Sequence, residues 1–152
     1  MIEPGAPAPD FSLPDHAGRE VTLESFPQRK LILVIYPLDF SPVCTDQLSI
    51  YQEVLSEIER SGATMAGISV DSSWAHRAFR EKLGITIPLL SDFEPKGEVI
   101  KRYGAYLDEA GHGNRSLVVI DEDRIVRWVH ESPSPVEIPG ANLIFDALAE
   151  LD

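Results

Sequence analysis

Lys30-Leu31-Ile32-Leu33-Val34-Ile35-Tyr36-Pro37-Leu38-Asp39-Phe40-Ser41-Pro42-Val43-Cys44-Thr45 is the stretch that decides the architecture. The unbroken apolar run from Leu31 to Tyr36 reads as a strand buried on both faces. Pro37 ends it, because proline has no N–H for the ladder. The period then changes. Leu48, Tyr51, Leu55 and Ile58 recur at helical spacing, which predicts one amphipathic helix closed by Gly62. Pro42 suits the start of that helix, where a missing N–H costs nothing. A buried strand therefore passes through a proline-bracketed loop into a helix, and Cys44 falls in the helix's first turn.

Outward from this stretch the alternation repeats. Thr64 to Val70 reads as a second strand. Ser72 or Ser73 caps a helix with Ala75, Phe79 and Leu83 on one face, stopped by Gly84. Pro88–Ser91 is a short strand, Lys96–Tyr103 a short helix and Leu117–Ile120 another buried strand. The turn Asp121–Arg124 leads to a hairpin partner, Ile125–His130. Leu143, Ile144, Ala147, Leu148 and Leu151 line a terminal helix. Near the amino terminus Pro4–Pro9 is an extended lead-in, and Phe11–Leu13 and Val21–Leu23 suggest a short hairpin around His16–Arg19. Strands alternating with helices, plus a late hairpin, give an α/β fold with a mixed central sheet flanked by helices. Such sheets place sites at strand carboxyl ends and helix amino termini.

Composition limits the function. With 152 residues the chain is expected to form one domain, residues 1–152. The net charge of −12 argues against nucleic acid and anionic membranes, both of which call for Lys and Arg. No apolar run approaches a membrane span, and the first residues lack a secretory pattern, so a cytoplasmic protein is expected. One cysteine rules out an intrachain disulfide and a cysteine-based metal cluster.

A free thiol titrates near 8.5, leaving only a few per cent thiolate at neutral pH. Lowering that value by two units takes about 2.7 kcal/mol. A helix amino terminus supplies ~0.3–1 kcal/mol. The helix alone falls short, so a reactive Cys44 requires a cation beside it. Asp39 and Asp46 flank the segment and would oppose ionisation if they lay close.

Pro37, Ser41 and Cys44 reproduce the pattern Pro-x-x-x-Thr/Ser-x-x-Cys of the peroxiredoxin family, which the chain resembles over nearly its whole length. Gly67-Ile68-Ser69-Val70-Asp71, Pro88-Leu89-Leu90-Ser91-Asp92, Tyr103-Gly104 and Asn114-Arg115-Ser116-Leu117-Val118-Val119-Ile120-Asp121 follow at familiar places. The resemblance implies a thioredoxin-like fold and a thiol peroxidase. Cys44 would attack a hydroperoxide and become a sulfenic acid. Ser41 would orient the peroxide, Arg115 would favour the thiolate and the developing charge, and Pro37 would shield the sulfur. The backbone N–H groups of Val43 and Cys44 would also point into the pocket, and Gln47 would complete the substrate-binding side. No metal or organic cofactor is implied. Two departures stand out. Gln47 occupies a position where the family commonly has Glu, and Ser41 one where Thr is more frequent.

With no second cysteine, an external thiol must recycle the enzyme: a low-molecular-weight thiol, thioredoxin or a glutaredoxin-like protein. Ser91-Asp92-Phe93, Gly97, Gly111 and Asn114-Arg115 resemble the bacterial one-cysteine group called alkyl hydroperoxide reductase E, whose members imply a homodimer. The bacterioferritin-comigratory type is the alternative. Two further readings compete. One is an acid-cluster phosphotransfer domain that gathers Asp39, Asp71, Asp92 and Asp121 around magnesium at strand ends. The other is a non-catalytic thioredoxin-like interaction module or redox sensor. The four histidines suit no zinc site by spacing and read as surface or satisfied groups, with His112 near the pocket. Trp74 and Trp128 read as packing residues.

Overall fold

The computed structural model describes residues 1–27 and 29–151. A five-stranded sheet forms its centre. The strands are β3 (Lys30–Ile35), β4 (Ala63–Ser69), β5 (Leu89–Ser91), β8 (Ser116–Ile120) and β9 (Val126–Glu131), in the order β5-β4-β3-β8-β9. β3, β4 and β5 run parallel, while β8 is antiparallel to both β3 and β9. The mixed sheet expected from the alternation is present. Two small hairpins accompany it: β1 (Leu13–Pro14) with β2 (Glu20–Val21), and β6 (Tyr106–Leu107) with β7 (His112–Gly113).

The central strands divide their side chains between two buried layers, as a pleated strand must. On one face Leu31, Leu33, Ile35, Ala66, Ile68, Val118 and Ile120 pack under Phe11, Leu13, Leu23 and α4 (Glu98–Arg102). On the other, Ile32, Val34, Tyr36, Met65, Leu117 and Val119 meet the helices. These are α1 (Pro42–Glu53), α2 (Leu55–Arg60), α3 (Ser73–Leu83) and α5 (Ala141–Glu150). Cys44 belongs to this second layer. Gly67 leaves room for Tyr36 there: a Cβ on it would lie 3.1 Å from the Tyr36 ring and 2.8 Å from Leu89.

Several elements differ from expectation. The helix after Cys44 is two helices, broken at Val54, whose backbone (φ −105°, ψ 6°) leaves the helical range. Hydrophobic spacing continues through the break because both pieces face the same core. The first hairpin is shifted toward Pro14 and Glu20, and Leu23 starts a short 3-10 turn, Leu23–Ser25. The β6–β7 hairpin has no alternating pattern to announce it. Ser72 is the cap of α3, and Gly84 ends it in the left-handed region at φ 66°. Trp74 is not a packing residue. It is 77% exposed, with the Arg77 guanidinium 5.4 Å from its ring centroid. Trp128 does pack on the helix-side core.

Candidate active site

Three segments distant in sequence meet at the carboxyl end of β3. The loop after β3 supplies Ser41, α1 supplies Cys44 and Gln47, and β8 begins beside Arg115, since its antiparallel course puts its start opposite the end of β3. Ser41 caps α1. Its Oγ accepts the Cys44 N–H at 3.1 Å, and Pro42 occupies the first turn. Cys44 is thereby fixed where the unpaired N–H groups of a twelve-residue helix converge. Its sulfur has no solvent exposure.

The cation that the energetics demand is present. Arg115 Nη2 lies 3.4 Å from Cys44 Sγ. The guanidinium is itself buried and held at two other points: Nη1 donates to Gln47 Oε1 at 2.6 Å, and Nε donates to the Pro135 carbonyl at 2.8 Å. The Gln47 amide orientation follows from its neighbour. Burial pushes the Tyr51 phenol up to about 12, against the opposing pull of Gln47 and Arg115, so its hydroxyl stays protonated. That proton goes to the Pro139 carbonyl at 2.7 Å. The Tyr51 oxygen can then only accept, so Gln47 must turn its NH2 toward it (3.2 Å) and its oxygen toward Arg115. Gln47 therefore stands behind the guanidinium.

The hydroxyl of Ser41 accepts from Cys44 N–H and keeps its own proton free for an incoming oxygen. Because this bond occupies the Cys44 N–H, that group does not point freely into a pocket. Pro37 is buried in the loop, and Val43 is half-buried in the first turn of α1. Asp46 lies on the exposed side of α1. Asp39 is engaged by other groups. It accepts from the Tyr36 hydroxyl at 2.6 Å and meets His76 Nδ1 at 2.7 Å. Burial and then the nearby Asp39 charge push the Tyr36 phenol well above its usual value, so it remains a donor.

The four strand-end acids do not assemble. Asp39 and Asp71 lie together, linked by the Asp39 N–H to Asp71 Oδ2 at 2.8 Å. Asp92 binds the N–H groups of Val99 and Ile100 at the start of α4. Asp121 follows β8, whose antiparallel course carries it to the opposite end of the sheet. His112 bonds the Gly113 carbonyl. Sequence reading missed Tyr51, which it placed simply on the apolar face of a helix, and the Pro135 and Pro139 carbonyls, which have no side-chain signature.

A buried thiol given a cation, a capped helix start and no second cysteine is built to react with a small oxidant, which defines a thiol peroxidase. The AhpC/TSA family model matches residues 4–129, and the chain belongs to this family, the peroxiredoxins. The chain is 38% identical to "Alkyl hydroperoxide reductase E" of Mycobacterium tuberculosis, covering 99% of both chains. It is 34% identical to "Putative peroxiredoxin bcp" of Coxiella burnetii, covering 84% of this chain and 87% of that protein. The crystal structure of "Peroxidoxin BcpB" from Mycobacterium tuberculosis superposes with a TM-score of 0.90 at 27% identity, covering 100% of this chain and 99% of that one. The thioredoxin-like fold of peroxiredoxins is thus the fold of this protein.

Proposed function

We propose that the protein reduces hydroperoxides at Cys44 and is recycled by an external thiol. The observation that supports this best is the 3.4 Å approach of Arg115 Nη2 to a sulfur in the first turn of α1. In this reading the thiolate sulfur attacks the terminal peroxide oxygen. An S–O bond forms as the O–O bond breaks, and the departing alkoxide or hydroxide takes a proton to leave as alcohol or water. Arg115 offsets the charge that develops on that oxygen, and the free Ser41 O–H orients it. Cys44 is left as sulfenic acid. One external thiol attacks this sulfur and releases water, giving a mixed disulfide. A second thiol releases Cys44 and carries away the oxidised pair. In this reading Pro37 and the half-buried Val43 shield the sulfur, and Gln47 keeps the guanidinium in place.

A sulfur without solvent exposure admits even a small peroxide only through local motion, and a protein reductant needs the first turn of α1 to open further between the two half-reactions. A low-molecular-weight thiol, thioredoxin or a glutaredoxin-like protein are the candidate reductants. No helix among the described residues is long and apolar enough to cross a membrane. A cytoplasmic, single-domain protein suits a lone thiol that works reduced. A homodimer accounts for the exposed Trp74 and Phe93, which line one surface hollow. Peroxide consumption in the presence of dithiothreitol tests the reading: Cys44→Ser abolishes it while leaving the fold intact, and activity retained in that variant rules out this nucleophile.

A further inference from the structure

We propose that His76 is a positioning residue for the peroxide pocket, acting through Asp39. The inference rests on the peroxidase reading above. Its starting point is the loop between β3 and α1, which must hold Ser41 at the cap of α1. That loop is not relaxed. Phe40, next to Ser41, has φ 69°, a conformation bulky side chains avoid, so surrounding structure must enforce it. Two residues of α3 do so from the same helix face. The Phe79 ring packs on Phe40 at 5.1 Å between centroids, and His76 meets Asp39 at 2.7 Å.

His76 has no solvent exposure and is tied at both ends. Nε2 lies 2.9 Å from the Leu90 carbonyl, which only accepts, so Nε2 carries a proton. Nδ1 shares a proton with Asp39 Oδ2. The ring thus bridges β5 to the loop. Asp39 is secured on its remaining sides by the Tyr36 hydroxyl and, through its own N–H, by Asp71 Oδ2, which also accepts from Ser69 Oγ at 2.6 Å. Asp39, Asp71 and His76 form a set of the composition that binds metals. Their atoms are instead engaged with one another: Nδ1 and Oδ2 are in hydrogen-bond contact, and Asp71 Oδ2 already takes two donors. The cluster is therefore a clamp on the loop, and the loop carries Ser41.

Paired substitutions test this, read as the ratio of hydrogen peroxide to iodoacetamide reactivity at Cys44. His76→Gln places its amide near Nε2, keeping the Leu90 bond and losing Asp39. His76→Asn places its amide near Nδ1, keeping Asp39 and losing Leu90. The clamp predicts that His76→Gln lowers the ratio by about tenfold or more, while His76→Asn stays near wild type. Should either fail to fold, the partner side gives the same contrast. Asp39→Ala lowers the ratio, and Asp39→Asn, whose amide can donate to a neutral Nδ1, retains it. Equal losses in the members of a pair, or a wild-type ratio in both His76→Gln and Asp39→Ala, would overturn the proposal. A wild-type Cys44 that peroxide does not oxidise would instead sink the peroxidase reading on which it stands.

Discussion

Phe40 (φ 69°) and Arg124 (φ 62°) both occupy the left-handed region that side chains avoid, one at each end of the sheet. The two turns are held by different side chains. At Arg124 the side chains that hold the turn are local: Asp121 Oδ1 accepts the N–H groups of Asp123 and Ile125, and its other oxygen meets the Arg127 guanidinium at 3.1 Å, while from the amino-terminal segment only backbone groups join, the Ala8 N–H at 2.9 Å from the Arg124 carbonyl and the Phe26 carbonyl at 3.5 Å from Arg124 Nη2. At Phe40 the support comes from far along the chain, from His76, Phe79 and Asp71. A turn that only reverses the chain can be secured largely by its own side chains. A turn that must aim a side chain at a reactive sulfur is secured from other elements, so that its shape is set by the packed core.

Changes at the sulfur end should therefore act on rate, and changes at the Asp121 end on stability. The largest effect is expected from Arg115→Ala, which removes the guanidinium 3.4 Å from Cys44 Sγ. Peroxide oxidation should slow by roughly 10²–10³-fold, the usual cost of losing one donor to a developing oxyanion; stopped-flow oxidation of the reduced variant measures it. Next comes a matched pair. Phe40→Gly relieves the backbone but loses the Phe79 contact, so the loop loosens and the rate should fall by about tenfold. Arg124→Gly relieves the same conformation, leaves the rate unchanged and shifts stability by less than about 1 kcal/mol. Equal rate losses in both would break the contrast.

The smallest effect concerns Asp121. Burial pushes its carboxyl up, but the N–H groups of Ile125 and Asp123 and the Arg127 guanidinium outweigh it, and the net shift is downward. A carboxylate lowered in the folded state adds stability above its ordinary value of 3.8 and loses it as pH falls through the folded value. Arg127 is half exposed, which limits the charge contribution. Asp121→Asn should cost about 0.5–1 kcal/mol at neutral pH, converge on wild type in acid and leave peroxide rates unchanged. Urea unfolding at several pH values checks it.

The same contrast explains what the sequence made legible. The Asp121 turn, the β3 run and the start of α1 at Pro42 are local patterns, and each was readable in a few consecutive residues. Arg115 was reachable because the charge requirement of Cys44 called for a cation and the family resemblance named one. His76 was not, because nothing in its own helix distinguishes a histidine that bridges β5 and a loop from one that merely packs. The break at Val54 escaped for a related reason: hydrophobic spacing reports which face is buried, and it persists across the break. Backbone acceptors such as Pro135 and Pro139 leave no side-chain trace at all.

Peroxide reduction by this protein depends on the Cys44 sulfur held beside Arg115 at the start of α1. The most direct test is a single turnover: reduced protein mixed with one equivalent of hydrogen peroxide, quenched with a sulfenic-acid trap and read by mass spectrometry. The prediction is rapid addition of one oxygen at Cys44, with little at Met1 or Met65 on the same timescale. Oxidation confined to the methionines, or a Cys44 that reacts no faster than a free thiol in solution, would contradict it.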